Sequence, residues 1–296
     1  MSFLWVLFTL CGAAGQVARN AMQRGLTPQL GALGATLVRF LFGFPFALIF
    51  LVVVLTVTRA PLPVFHHDFA LWLLMGALTQ VGGTALMLAA MEQRSFVVVT
   101  AYLKTEPVLV ALMGLAFLHD PLTPFMALAI ALAMVGVALV SVKPGALAGG
   151  TRPACQGIAS AGLFAASAIG YRGAILSLHS GFVVASTVSL AAGLTLQTVL
   201  LMTWLLLFDR QTLRALAGLW KPSLAAGFTG AAASQFWFLA FALATAASVR
   251  TLALVEVLFA QGVTRFVFQQ KTTAREAIGI TLLLTGAVLI VWAHPR

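Results

Sequence analysis

Two stretches of this chain match each other at a constant offset of 150 residues, without a gap, and both are strongly apolar. Thr79 falls on Thr229, Glu106 on Glu256, Thr123 on Thr273 and Gly136 on Gly286; Gly12, Gly31 and Gly43 fall on Gly162, Gly181 and Gly193. So long a repeat in so apolar a chain points to two like halves in a membrane, with a binding site where they meet.

Only 8% of the 296 residues are charged and 61% are hydrophobic, against roughly 25% charged in ordinary soluble domains. Apolar runs of about 20 residues, each able to cross a ~30 Å hydrocarbon layer, recur along the chain. Ten spans are expected, at 3–22, 29–56, 69–91, 95–118, 123–142, 154–176, 181–208, 218–243, 247–268 and 274–293. They leave no room for a soluble catalytic or nucleotide-binding domain. Residues 1–145 form the first five-span repeat, 146–152 the Gly/Pro-rich linker and 153–296 the second repeat. Five is odd, so the second half enters from the opposite side. The fold class is therefore all-α and integral to the membrane: ten helices in two inverted five-helix repeats around a central cavity.

A net charge of +10 suggests nucleic acid in a soluble protein, but here the charges sit in short connections, so no nucleic-acid partner is expected. Arg24, Arg94, Lys143, Arg152, Arg210, Arg214, Lys221, Lys271 and Arg275 fall in the odd-numbered connections, with Arg19 close by; Arg59, Arg172 and Arg296 fall on the other side. The positive-inside rule places the odd connections in the cytoplasm and both termini outside. The first span lacks a basic leader and has a repeat partner in mid-chain, so it reads as a span and not as a signal peptide. Cys11 and Cys155 make neither a metal set nor a disulfide framework. His66, His67 and Asp68 read as a solvated loop, so no metal or other cofactor is expected. Small residues on span 5 (Ala129, Ala133, Gly136) and span 10 (Gly279, Gly286) permit close backbone approach. This reads as packing within one chain, so a monomer suffices.

An ionisable residue at mid-bilayer costs roughly 2.5–3.5 kcal/mol unless a partner, water or ligand compensates. Lys104 and Glu106 sit about halfway along span 4, on the order of 14–16 Å from either end. Pro107 follows and leaves the Leu103 carbonyl without its helical donor. On a continuous helix, residues two apart diverge by roughly 200°, so one charge should face a cavity and the other a helix contact. Lys104 is either a ligand-facing cation or a structural charge paired with Glu256 or a carbonyl. Glu256, the repeat partner of Glu106, lacks matching neighbours: Leu254 replaces Lys104 and Val257 replaces Pro107. The two acids read equally as proton sites or as structural anchors. Arg250 and Arg265 lie nearer the ends of span 9, able to snorkel or pair. Gln80, Thr84, Met87 and Met91 on span 3, and Ser234 and Trp237 on span 8, recur at helical spacing and are candidates for the cavity wall, as is Tyr102. Ordinary packing is the competing reading for each. Arg39, about ten residues into a long span, does not read as a ligand.

Tyr102-Leu-Lys-Thr-Glu-Pro107, Phe117-Leu-His-Asp-Pro-Leu-Thr123, Gly136-Val and Arg39-Phe-Leu together resemble the drug/metabolite transporter superfamily, EamA family. The second half departs from the pattern, with Lys271-Thr-Thr-Ala at the turn and no mid-span proline. The resemblance covers the whole chain and implies export or exchange of metabolites by alternating access across a bacterial-type inner membrane. Within the superfamily the chain is similar to YddG-type amino-acid exporters. The expected substrate is then a small amphipathic metabolite, foremost an amino acid with an apolar or aromatic side chain, whose carboxylate meets Lys104. The alternative is proton-coupled efflux of drugs or organic cations, in which Glu106 and Glu256 matter more. Phosphorylated substrates are disfavoured, because one intramembrane lysine without an arginine cluster is a poor phosphate clamp. Enzymatic activity is not expected, because no nucleophile–base set or histidine lies at membrane depth.

Overall fold

The computed structural model describes residues 3–141, 151–258 and 273–293. The described residues contain helices and no strands. Eight helical stretches among them are long and apolar enough to cross a membrane, so the chain is a multi-pass membrane protein. The first of these, Leu4–Thr58, is 55 residues long, about 80 Å if straight. It does not run straight. Helix α1 (Leu4–Leu41) breaks at Gly31, whose φ of 65° and ψ of 175° are non-helical. Gln23 on one limb donates to the Ala35 carbonyl on the other at 2.9 Å, a separation of about 18 Å along a straight helix. The chain therefore doubles back at Gly31, and no separate loop joins the first two predicted spans. Helix α2 (Phe44–Thr58) continues the second limb.

Then follow α3 (His67–Gln93), α4 (Phe96–Leu103), α5 (Glu106–Met113), a π-helical turn at Gly114–Leu118 and α6 (Pro124–Ser141). The later helices are α7 (Thr151–Ser177), α8 (Phe182–Phe208), α9 (Arg210–Gly218), α10 (Trp220–Leu243), α11 (Ala246–Ala253) and α12 (Ala274–Trp292). Sequence reading took α9 for a plain connection. It is a short amphipathic helix capped by Asp209, whose side chain accepts the Thr212 N–H. The ninth predicted span, 247–268, lies partly outside the described residues, as do Lys143, Arg265, Lys271 and Arg296.

Hydroxyl caps recur with the repeat: Ser95 caps α4 and Thr245 caps α11, each accepting a backbone N–H three residues on, as N-caps do.

Three helix pairs carry the closest packing: α1 with α10, α3 with α7, and α6 with α12. Adding 150 to residue numbers carries the first pair onto the second and leaves the third unchanged. Each pair closes over small residues. A Cβ on Gly136 would stand 2.5 Å from the Leu283 nitrogen, one on Gly170 2.5 Å from the Gly76 nitrogen, and one on Gly15 2.9 Å from the Ala233 Cβ. With lipid as solvent, dispersion between closely approached backbones replaces hydrophobic burial as the cohesive term. The small residues singled out on spans 5 and 10 thus face each other across α6–α12.

Candidate functional site

The chain's middle-depth charges are placed by two helix breaks. After α4 the backbone turns at residues 104–105 before α5 begins; after α11 it turns at residues 254–255, with helical backbone again at 256–258. The breaks are 150 residues apart, so both halves interrupt the same helix at the same point. The first has a local cause. Pro107 supplies no N–H to the Leu103 carbonyl, and Lys104 and Thr105 bond back by three residues, to Ala101 and Tyr102. The second has no proline, and we find no equivalent local cause for it.

The break corrects the sequence-based view of Lys104 and Glu106. Divergence by 200° holds on a continuous helix only; across the turn, both side chains line one cavity. Neither is free. Lys104 Nζ pairs with Glu256 Oε1, and Arg250 Nε lies 3.0 Å from Glu106 Oε1. Each acid is thus matched by a base from the opposite half. Of the two readings left open for Lys104, the geometry has the ammonium in an ion pair. The Arg250 guanidinium also stacks 4.3 Å from the Trp237 ring centroid, which sets it as a cation–π pair inside the bundle instead of at a snorkelling end.

The same cavity is lined by Gln80, Pro107, Ser234 and Trp237. Met87 lines it too, but three expected wall residues, Tyr102, Thr84 and Met91, do not. Tyr102 packs against α7, where a Cβ on Gly157 would stand 2.7 Å from its own. Thr84 is fully buried, donates to the Gln80 carbonyl and accepts from Arg39 Nη1 at 3.2 Å; it acts behind the wall. Trp237 has Arg250 over its ring and Gly12 of α1 against its indole, with ring atoms 3.2 Å from where a Cβ would be. Its ring is therefore committed to packing.

Sequence reading missed the two residues that change the character of the site. Arg19 and Arg39, 2% and 3% exposed, both line the cavity. The turn at Gly31 brings their limbs side by side, over α10. A Cβ on Gly230 would stand 3.2 Å from Arg19 Cδ and 3.5 Å from Arg39 Cγ, so the glycine's missing side chain makes their room. By sequence Arg19 reads as a charge close to the first connection and Arg39 as no ligand. The available signal was Arg39 itself, a full charge well inside a span. The absence of an arginine cluster, used above against phosphorylated substrates, is likewise corrected: Arg19, Arg39 and Arg250 surround the cavity with Lys104.

A buried amide network supports the wall. Gln197 of α8 donates to the Ala77 carbonyl and to Gln80 Oε1 at 2.9 Å, and the Tyr171 hydroxyl donates to the same oxygen at 3.3 Å. Toward one end, Arg172 of α7 pairs with Asp120 at 3.3 Å and donates to the Phe241 and Ala244 carbonyls at the end of α10. His67 and Asp68 are exposed and 3.5 Å apart. No group of three or more His, Cys, Asp or Glu that could hold a metal occurs among the described residues.

The described residues thus form a multi-pass helical bundle with paired charges around an internal cavity. Residues 3–142 match the EamA-like transporter family. A solved chain described only as "Crystal structure of protein" is similar in fold, with a TM-score of 0.68 over 95% of this chain and 94% of that one at 15% identity. No curated protein matches the chain.

Proposed function

We propose that the protein is a secondary transporter of small amphipathic metabolites bearing an acidic group, working by alternating access. Amino acids with apolar or aromatic side chains are the first class to test. The observation that carries the reading is the cavity walled by both halves, with each half's acid held by the other half's base. Ten spans arise if Leu4–Thr58 counts as two and 247–268 as one. Inversion of the halves is supported by the helix pairs that exchange under the 150-residue offset. Rocking of one half against the other would then move the opening between faces. The charge distribution favours termini on the extracytoplasmic side; export across a bacterial-type inner membrane is what the family resemblance implies.

Lys104, Glu106 and Glu256 serve in this reading as the charged seam between halves. Gln80, Ser234 and Trp237 belong to the wall, and Thr84 and Pro107 position their neighbours. Efflux of organic cations is disfavoured by the four basic side chains that line the cavity against two acids. The test is uptake into proteoliposomes of labelled phenylalanine, succinate and tetraphenylphosphonium, with and without a proton gradient. Saturable, cavity-dependent flux of an acidic solute supports the proposal. Flux of the organic cation alone, driven by the proton gradient, overturns it.

A further inference from the structure

The transporter reading leaves open which groups in the cavity meet the substrate, and the charges answer it by elimination. Lys104 and Arg250 are each committed to a carboxylate. Arg19 and Arg39 have no carboxylate partner among the described residues. Arg19 donates through Nε and Nη2 to Asn20 Oδ1 at 3.1 and 2.7 Å, and Arg39 donates to Thr84. Both partners are neutral. Arg19 Nη1 and Arg39 Nε are buried and make no hydrogen bond. Guanidinium groups stay charged, and a buried charge without a counterion is costly at membrane depth.

Two neutral amides of the wall, Asn20 and Gln80, have used their acceptors. Arginine only donates, so the oxygen of Asn20 must face Arg19 and is consumed there. Gln197 is held nitrogen-first by the Ala77 carbonyl, so Gln80 must present its oxygen to Gln197 and Tyr171. What Asn20 and Gln80 retain are N–H donors. Trp237 Nε1, a donor only, is also buried without a partner. Along this wall the buried polar atoms without a hydrogen bond are the donors Arg19 Nη1, Arg39 Nε, Arg250 Nε and Trp237 Nε1, the Ser167 hydroxyl, and one oxygen each of the ion-paired Glu106 and Glu256; four bases against two acids leave a surplus of two positive charges.

Resting on the transporter reading, we infer that Arg19 and Arg39 form an oxyanion subsite over Gly230, and that the preferred substrate is a small organic dianion: a dicarboxylate or a phosphate monoester. Paired guanidinium forks match the geometry of carboxylate and phosphate oxygens. A dianion balances the surplus. A zwitterionic amino acid carries no net charge and leaves that surplus in place.

The experiment is equilibrium competition on the full chain in lipid nanodiscs, using succinate, phenyl phosphate and phenylalanine as probes. The dianions are expected to bind at least tenfold more tightly than phenylalanine. Arg19→Gln and Arg39→Gln are each expected to weaken them at least tenfold, whereas Arg24→Gln, the same charge change at an exposed position, has no such effect. If the arginine variants fail to fold, Gly230→Ala serves instead, since its methyl crowds both stems without removing charge; a several-fold loss of dianion affinity is expected. Binding of succinate alone or of phenyl phosphate alone supports the subsite and identifies the oxyanion. Phenylalanine binding as tightly as the dianions, or equal losses in Arg24→Gln and Arg39→Gln, overturns it. Dianions that bind but are never transported refute the transporter reading and leave the subsite standing; transported phenylalanine with no dianion binding does the reverse.

Discussion

Lys104 of the first half is ion-paired with Glu256 of the second, and 150 residues separate Glu256 from Glu106, whose own partner Arg250 comes from the second half. The two bases are not repeat equivalents: Lys104 aligns with Leu254 and Arg250 with Thr100. The acids fall at equivalent positions under the 150-residue offset, whereas the two bases come from different turns. Removing one member of a buried pair typically costs about 3–5 kcal/mol, because the other charge is left uncompensated, whereas removing both together can be nearly neutral. Lys104→Met and Glu256→Gln should each lower the thermal midpoint in detergent, and the double variant should recover most of the loss. Additive losses in the double-mutant cycle would rule out coupling between the two.

Much of this arrangement was legible in the sequence, and the reasons for the remainder are specific. The repeat offset, the helix defect at Pro107 and the polar stripe through Gln80 are local or periodic signals. Glu256 was found because it repeats Glu106. Arg19 and Arg39 were not recognised because their proximity depends on the reversal at Gly31, and the expected connection at 23–28 puts the turn too early in the chain to set these two side by side. The partner of Lys104 stayed undecided because a break in the helix cancels the angular argument that continuous helices allow. Tyr102 is a wall candidate by sequence, yet it packs instead against Gly157 on α7.

Three glycines separate the reasons for keeping glycine in this fold. Gly136→Ala puts a methyl against backbone atoms of α12, within 2.5 Å of the Leu283 nitrogen, and overpacking of this kind costs about 1–3 kcal/mol. Gly31→Ala meets no atom within 4 Å, but it forces a side chain onto φ 65°, ψ 175°, a strain of about 1–3 kcal/mol. Gly25→Ala meets neither obstacle and should stabilise its helix by about 0.5–1 kcal/mol. Thermal unfolding monitored by size-exclusion chromatography should rank Gly25→Ala above wild type and the other two below it. Equal midpoints for all three would show that neither backbone contact nor the reversal constrains the bundle.

Outside the membrane, Asp209 caps α9. The Thr212 hydroxyl and backbone N–H both donate to its carboxylate, and they hold its pKa below the usual carboxylate value. A depressed acid contributes stability in full above its unfolded pKa, and that contribution is lost as pH falls through the folded value, hence below about pH 4. Amide exchange in 210–218, corrected for intrinsic rates, should accelerate as pH drops through that range. In Asp209→Ala it should be fast at every pH. Protection that stays constant from pH 6 to pH 3 would mean that α9 does not depend on this carboxylate.

Arg172 of α7 ties three elements together: it pairs with Asp120, beyond the π-helical turn, and donates to carbonyls of Phe241 and Ala244 where α10 ends. The repeat does not reproduce this tie, because Met22, Met91 and Arg94 stand at the equivalents of Arg172, Phe241 and Ala244. The lock therefore acts at one end of the bundle only. Asp120→Asn keeps the shape and removes the charge, so Arg172 loses its counterion while its carbonyl contacts remain. If this end closes the cavity, a cysteine introduced at the cavity-lining Ser167 should react several-fold faster with a membrane-impermeant maleimide added on the Asp120 side in the Asp120→Asn background. Labelling from the opposite side should slow, because the two openings exclude each other under alternating access. Unchanged rates from both sides would show that the Asp120–Arg172 pair is a structural brace and that the cavity opens without breaking it.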